Sequence, residues 1–220
     1  MERSLVIIKP DGAVRRRISA LILENLIDRG YNVVAFREMK VSETLAKMHY
    51  DVHKEKPFFP WLVDFISSAP VLATIFEGND VIQGVRDALG ATFVQKADPS
   101  SLRGKYGIWA GINIAHASDA SETADNEIKL WTTEGGLRET LDAEDQVEAY
   151  IKKYEVGDAD YTMELRSVVK NAIENRDLSD NVLKSLIQLL EKDSKGIAFD
   201  DIKALASAIF DFVREEVEKT

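Results

Sequence analysis

Four side chains far apart along the sequence have the chemistry to hold a polyphosphate together. Lys9 ends the apolar run in IIKPDG, Arg86 and Thr92 flank the glycine of VRDALGAT, and Arg103 stands in SLRGKYG. Guanidinium forks match phosphate oxygens, a lysine adds a point charge, and a hydroxyl adds a further donor. His116, one of three histidines, lies in INIAHASD among small and aliphatic residues, with Asn113, Ser118 and Asp119 close by. A neutral imidazole is a competent nucleophile near pH 7. The plainer reading is a histidine satisfied by local hydrogen bonds at a strand end. Taken with the aromatic pair in KPFFP, these residues suggest a nucleotide site.

The surrounding pattern provides elements to carry them. SLVIIKP has the β-branched density of a buried strand and stops at the turn cluster Pro10-Asp11-Gly12, which leaves Lys9 at a strand end. Ile18, Leu21, Ile22 and Leu26 share one helix face, closed by Gly30. YNVVAFREMKV reads as a second strand, SETLAKMHYDVH as a helix capped by Ser42, and FPWLVDFISS as an amphipathic helix. PVLATIFEG is a third strand, and NDVIQGVRDALG a helix with Asn79 and Asp80 as cap candidates. Residues 91–111 lack periodicity and read as a long ordered loop. GINIAHA is a fourth strand, and a helix starts at Ser121. This order fits an α+β fold, a ferredoxin-like βαββαβ antiparallel sheet with covering helices.

Beyond Trp131 the texture is helical throughout. Val147, Tyr150, Ile151 and Tyr154 share one face; so do Leu165, Val168, Val169, Ala172 and Ile173, then Val182, Leu186 and Leu190, then Ile202, Leu205, Ile209 and Val213. The expected organisation is a catalytic domain over 1–131, a polar linker over 132–141 and an all-α extension over 142–220.

Bulk properties narrow the functional classes. Twenty-eight basic against 38 acidic residues give a net charge of −10, which argues against nucleic acid or an anionic membrane as the main partner. The absence of cysteine removes disulfides and thiolate metal sites. The apolar run before Lys9 is too short for a signal-peptide core or a membrane span, so a cytoplasmic location is expected.

Five stretches, IIKPDG, HYDVHKEKPFFP, LGAT, LRGKYG and NIAHASD, occur in the order and approximate spacing of the nucleoside diphosphate kinases. Residues 2–131 resemble that family, whose pattern at the histidine is Asn-x-x-His-Gly-Ser-Asp. The resemblance implies that His116 takes the γ-phosphoryl group of a nucleoside triphosphate and passes it to a nucleoside diphosphate in a ping-pong cycle. It implies that Glu127 and Ser118 orient the imidazole, that Lys9, Arg86, Thr92 and Arg103 bind phosphates, and that Asn113 binds the sugar. Phe58 would stack on the base, a contact that tolerates any base, and Tyr50 would support the phosphate and lysine region. The family works on Mg2+-bound nucleotides, the metal being held mainly by phosphates and water, so no protein ligand is expected. A homo-oligomer is also implied.

The sequence departs from the family in four places. Ala117 replaces the glycine after the histidine, a strained position if it needs positive φ. Arg16 and Arg17 extend a basic run where a glycine is usual, and Ile112 stands where many members carry a basic residue. The helical extension itself resembles nothing familiar; it is expected to bury its own apolar faces, with a protein partner as the alternative.

EKDSKGIAFDDI fails as a calcium loop because Lys195 and Ile202 fall on ligand positions, and it reads as a turn between helices. His49 and His53, four apart, could share a face as zinc ligands, but HYDVH lacks the glutamate of a metalloprotease motif. The remaining competitor is a non-catalytic, nucleotide-responsive binding protein acting through the extension.

Overall fold

In the computed structural model, which describes residues 1–219, the chain first runs β1 (Glu2–Ile8), α1 (Pro10–Ala13), α2 (Arg16–Ile27), β2 (Asn32–Met39), α3 (Glu43–His49) and α4 (Phe59–Ser67). It continues through β3 (Val71–Gly78), α5 (Val81–Leu89), α6 (Leu102–Tyr106), β4 (Ala115–Ala117) and α7 (Ser121–Thr133). Four further helices close it: α8 (Ala143–Tyr154), α9 (Thr162–Glu174), α10 (Asp180–Glu191) and α11 (Phe199–Lys219). The sheet is antiparallel throughout, in the order β2-β3-β1-β4. It is the α+β, ferredoxin-like arrangement, with an added helical extension.

β1 and β3 are central because both their faces are apolar: Leu5–Ile8 and Val71–Phe76 are fully buried. The period of two sends Val6, Ile8, Leu72 and Phe76 to one core with α2 and α5. Leu5, Ile7, Ala73 and Ile75 go to the other, with Val63, Ile66 and the fully buried Trp131. β2, an edge strand, does not end in open backbone. Ala35 bridges to Glu139 and the Thr140 amide donates to Val34 O at 3.1 Å, so the segment after α7 closes this edge.

Several local features differ from the sequence pattern. Only Ala115–Ala117 of GINIAHA pairs as a strand, because Ile114 has φ +69° and breaks the extended run. α3 ends at His49 and a single 3₁₀ turn holds Asp51–His53, so the two histidines share no helix face. Pro10–Ala13 winds into a short helix rather than an open turn, and residues 91–111 contain a 3₁₀ turn and α6. Ser42 caps α3 by accepting from the Leu45 amide, whereas Asp80 makes no side-chain cap and Ser121 is the first residue of α7.

The extension packs against the sheet domain on two sides. From α8, Val147, Tyr150 and Ile151 join the core that includes Val33 and Leu23. From α9–α11, Leu165, Val169, Leu186, Leu205, Ile209 and Val213 share a core with Val14, Trp61, Phe65, Ile108 and Ile112. The basic run 15–17 lies in this junction. Arg16 pairs with Glu38 at 2.7 Å and donates to the Tyr150 hydroxyl at 3.1 Å and to Lys195 O at 3.2 Å. Arg15 donates to Thr162 Oγ1 at 2.8 Å. No helix among the described residues is long and apolar enough to cross a membrane.

Asp193, in the turn between α10 and α11, caps α2 from across the junction. Its carbonyl accepts from the Arg16 amide at 2.8 Å and its carboxylate from the Arg17 amide at 3.1–3.2 Å. Burial nevertheless outweighs these bonds and pushes the carboxyl up to about 6. An acid whose folded pKa is raised binds more protons folded than unfolded, so its effect is to lower stability as pH rises from about 4 to 6. Asp193→Asn, which keeps an acceptor without the charge, is expected to match the parent at pH 4. By pH 7 it should exceed the parent by about 1 kcal/mol, a figure discounted for partial exposure. Urea unfolding at the two pH values checks this; an unchanged difference refutes it.

Candidate active site

The β1–β4 pairing sets His116 opposite Ile7, so its side chain leaves the sheet on the face covered by α3 and α7. There its Nε2 lies 2.8 Å from Glu127 Oε1, carried by α7. The other carboxylate oxygen accepts from Ser118 Oγ at 2.6 Å, and that hydroxyl itself accepts from the Leu5 amide at 3.1 Å. The carboxylate is thus fixed by β1, through Ser118, before it meets the imidazole. Opposite a carboxylate, Nε2 carries the proton and donates it, which leaves the lone pair on Nδ1. The side chain is 27 % exposed, enough for a ligand to reach that nitrogen.

A second imidazole supports the first. The His49 ring meets His116 at 4.5 Å between centroids and 85° between planes. Its Nδ1 accepts from Trp131 Nε1 at 3.3 Å, and burial holds it well below the usual histidine range, so it packs as a neutral ring. His49, His116 and Glu127 are a group whose ligating atoms all lie within 4.8 Å of one another. His116 Nε2 and Glu127 are committed to each other, Glu127 also to Ser118 and His49 Nδ1 to Trp131, which makes a hydrogen-bonded network, while the buried His49 Nε2 has no partner among the described residues.

The cationic groups converge at the β1 and β4 ends. Lys9, 6 % exposed, donates to Gly111 O at 2.7 Å and sits 5.5 Å above the Phe65 ring. Burial lowers its ammonium to about 8, partly opposed by the nearby Asp11 carboxylate and reinforced by Arg103. Arg103 donates to Gly90 O and to Ala115 O, both at 2.8 Å, which ties it to the residue before His116; its Nε has no partner. Burial, then the neighbouring Arg86 charge, lowers the Arg103 guanidinium to about 10. Two cations held close with unused donors form a site that an anion would stabilise. Arg86 itself is exposed on α5.

The other predicted residues occupy the same side. Asn113 is buried and donates to Thr92 O at 2.7 Å, with Oδ1 unpartnered; the Thr92 side chain is exposed. Tyr50 packs edge-on to His49, and burial pushes its hydroxyl up. His53 lies 6.5 Å from Tyr50 and 5.7 Å from Phe58, and the Phe58 ring is 41 % exposed, an open aromatic face.

Pattern alone missed two supporting residues. One is His49, whose ring backs His116. The other is Asp11, fully buried, whose Oδ2 accepts from the Ile114 amide at 2.8 Å. That bond, with Lys9 N donating to Ile114 O at 2.7 Å, holds a β-branched residue at positive φ, a conformation that costs about 1–3 kcal/mol. Gly12 permits the approach: a Cβ there would come within 2.7 Å of Ile8 Cγ2 and 3.0 Å of Ile114 O. The signal available in the sequence was an aspartate beside a strand-end lysine, since a buried carboxylate needs donors. Ala117 is not among the residues with positive φ, so replacing the glycine introduces no backbone strain.

The family model for nucleoside diphosphate kinase matches residues 2–136. The nucleoside diphosphate kinase of Methanothermobacter thermautotrophicus is 48 % identical over 137 residues, covering 62 % of this chain and 91 % of the relative. That of Trichormus variabilis is 45 % identical with the same coverage. Among solved structures, a halophilic nucleoside diphosphate kinase from Halobacterium salinarum in complex with CDP matches with a TM-score of 0.58 and 39 % identity, over 66 % of this chain and 97 % of that one. The Aquifex aeolicus enzyme gives 0.56 and 39 %, over 59 % and 93 %.

Proposed function

This chain belongs to the nucleoside diphosphate kinase family, and from that premise we propose that it moves the γ-phosphoryl group of a nucleoside triphosphate to a nucleoside diphosphate through a phosphohistidine on His116. The observation that carries this reading is the Nε2–Glu127 hydrogen bond, which leaves Nδ1 with its lone pair and an open approach. Nδ1 attacks the γ-phosphorus, the bond to the bridging oxygen breaks, and the diphosphate leaves; the acceptor diphosphate then reverses the step. Glu127 stabilises the positive charge that builds on the ring, and Ser118 holds Glu127. Lys9, Arg86, Arg103 and Thr92 bind the phosphates, Asn113 the sugar and Phe58 the base, with Tyr50 supporting the Lys9 region.

Magnesium would arrive on the nucleotide, where it neutralises phosphate charge. There it would be held mainly by phosphate oxygens and water, as Mg2+ commonly is on nucleotides. We read residues 1–131 as the catalytic unit, 132–141 as the connection and 142–220 as the extension, residue 220 lying outside the described structure. A cytoplasmic homo-oligomer is our reading of its state; with the β2 edge closed by Glu139 and Thr140, copies would meet through other surfaces. The non-catalytic alternative is not favoured, because family membership comes with every chemical group the transfer needs.

Labelled ATP with Mg2+ should leave an acid-labile label on the protein, and unlabelled UDP should remove it as UTP. Nucleotide binding with no label ever taken up would end the proposal. A pH profile tests the role of Lys9. With a free-enzyme pKa of about 8, its ammonium is lost as pH rises, so kcat/KM should fall about tenfold per unit above pH 8. Lys9→Arg, charged throughout, should lose that decline. A parent profile flat to pH 10, together with unchanged kcat/KM in Lys9→Ala, would remove Lys9 from phosphate binding.

A further inference from the structure

The extension reaches the phosphate-binding end of the catalytic unit at one defined point. α6 is a five-residue helix that carries Arg103; the Arg103 carbonyl accepts from the Gly107 amide at 2.9 Å, and the carbonyls after it have no partners within so short a helix. Guanidinium groups cover them. Arg166, from α9, donates Nε to Gly107 O at 2.7 Å and Nη2 to Gly104 O at 2.7 Å and Arg103 O at 3.4 Å. Arg15 donates to Tyr106 O at 2.7 Å and is itself held by Asp11 O at 2.6 Å and by Thr162 Oγ1, at the start of α9. Four backbone carbonyls from 103 to 107 are thus fixed by two arginines, one from each half of the chain. Positive charge at a helix C-terminus is favourable, and it is more so in a partly buried setting.

The opposite end of Arg103 is the functional one in the reading above. Its guanidinium lies between Gly90 O and Ala115 O, one residue from His116, with one nitrogen unpartnered. The side chain enters the site from a helix of a single turn, so its placement depends on how that turn is held. We propose that Arg166 is a positioning residue for Arg103: by clamping the carboxyl end of α6 it presets the guanidinium that grips nucleotide phosphate, so the helical extension sets nucleotide affinity. This rests on the assignment of Arg103 to phosphate binding.

The test is a double-mutant cycle on the full chain, using Arg166→Ala, Arg103→Ala and the pair. ADP affinity is read by calorimetry, and the single-turnover rate of phosphohistidine formation is read at saturating ATP. Normalising to the fraction of enzyme that takes label removes any loss from misfolding. Arg166→Ala is expected to weaken ADP binding about tenfold while changing the saturated rate less than about twofold, the signature of lost uniform binding. Arg166→Lys, which keeps the charge without the fork and is the milder change for folding, should fall between.

With Arg103→Ala already present, Arg166→Ala should add less than about twofold. Unchanged ADP affinity in both Arg166 variants, or a full additional loss on top of Arg103→Ala, would overturn the positioning role. If Arg103→Ala alone leaves ADP affinity intact, the failure lies in the assignment of Arg103 to phosphate, and the clamp falls with it.

Discussion

His116→Ala is expected to lower phosphoryl transfer by about four to six orders of magnitude while nucleotide affinity stays within about twofold. The asymmetry follows from the connections of the side chain. Its one hydrogen bond runs to Glu127, and neither of the proposed phosphate-binding groups Lys9 and Arg103 depends on it: Lys9 is held by Gly111 O, and Arg103 by the carbonyls of Gly90 and Ala115. Glu127 keeps Ser118 as a partner, so the partly buried carboxylate is not stranded. Replacing the imidazole therefore removes the proposed nucleophile without loosening the cradle around it. Single-turnover labelling with ATP, beside calorimetry with ADP, separates the two effects. Residual transfer within about a hundredfold of the parent would mean that another group accepts the phosphoryl.

Different parts of this arrangement were legible to different degrees. The central strands could be read because their pattern is unambiguous: runs such as SLVII and VLATIF admit water on neither face. The short β4 could not, since GINIAHA has strand composition and its break at Ile114 comes from Asp11 and Lys9, about a hundred residues earlier. The candidate site divides in the same way. Lys9, Arg103 and His116 stand out by type and setting, whereas Glu127 came only through family resemblance, because an acidic residue on a polar helix face looks like any other. His49 supports His116 through ring packing, and no linear spacing encodes a contact across 67 residues of chain.

Helical periodicity gave the apolar faces of the extension but not what they meet. The departures from the family become intelligible only in the folded chain: Arg16 binds Tyr150 and Lys195, Arg17 meets Asp193, and Ile112 lies in the core built by α9–α11. Three apparent irregularities of the catalytic domain are adaptations to one neighbour.

That dependence predicts the behaviour of a chain ended after Asp142: it should self-associate or precipitate at micromolar concentration rather than persist as a dispersed kinase. The cut would uncover Val14, Trp61, Phe65, Ile108 and Ile112 on one side and Val33 and Phe36 on the other. At about 1.5–3 kcal/mol per large apolar side chain, the lost burial is on the order of 10 kcal/mol, comparable with the whole stability of a domain. The Trp61 indole would also lose Ala208 O, which it meets at 2.9 Å. Relatives matched over 91 % of their length have no room for α8–α11, so the fold as such does not require these helices. The surface of this chain does. Soluble yield and light scattering after size exclusion measure the effect, and a dispersed fragment with the parent's melting temperature would refute it. Ile112→Lys in the shortened chain should recover part of the solubility, because it returns a charge to a position that is apolar here only while the extension covers it.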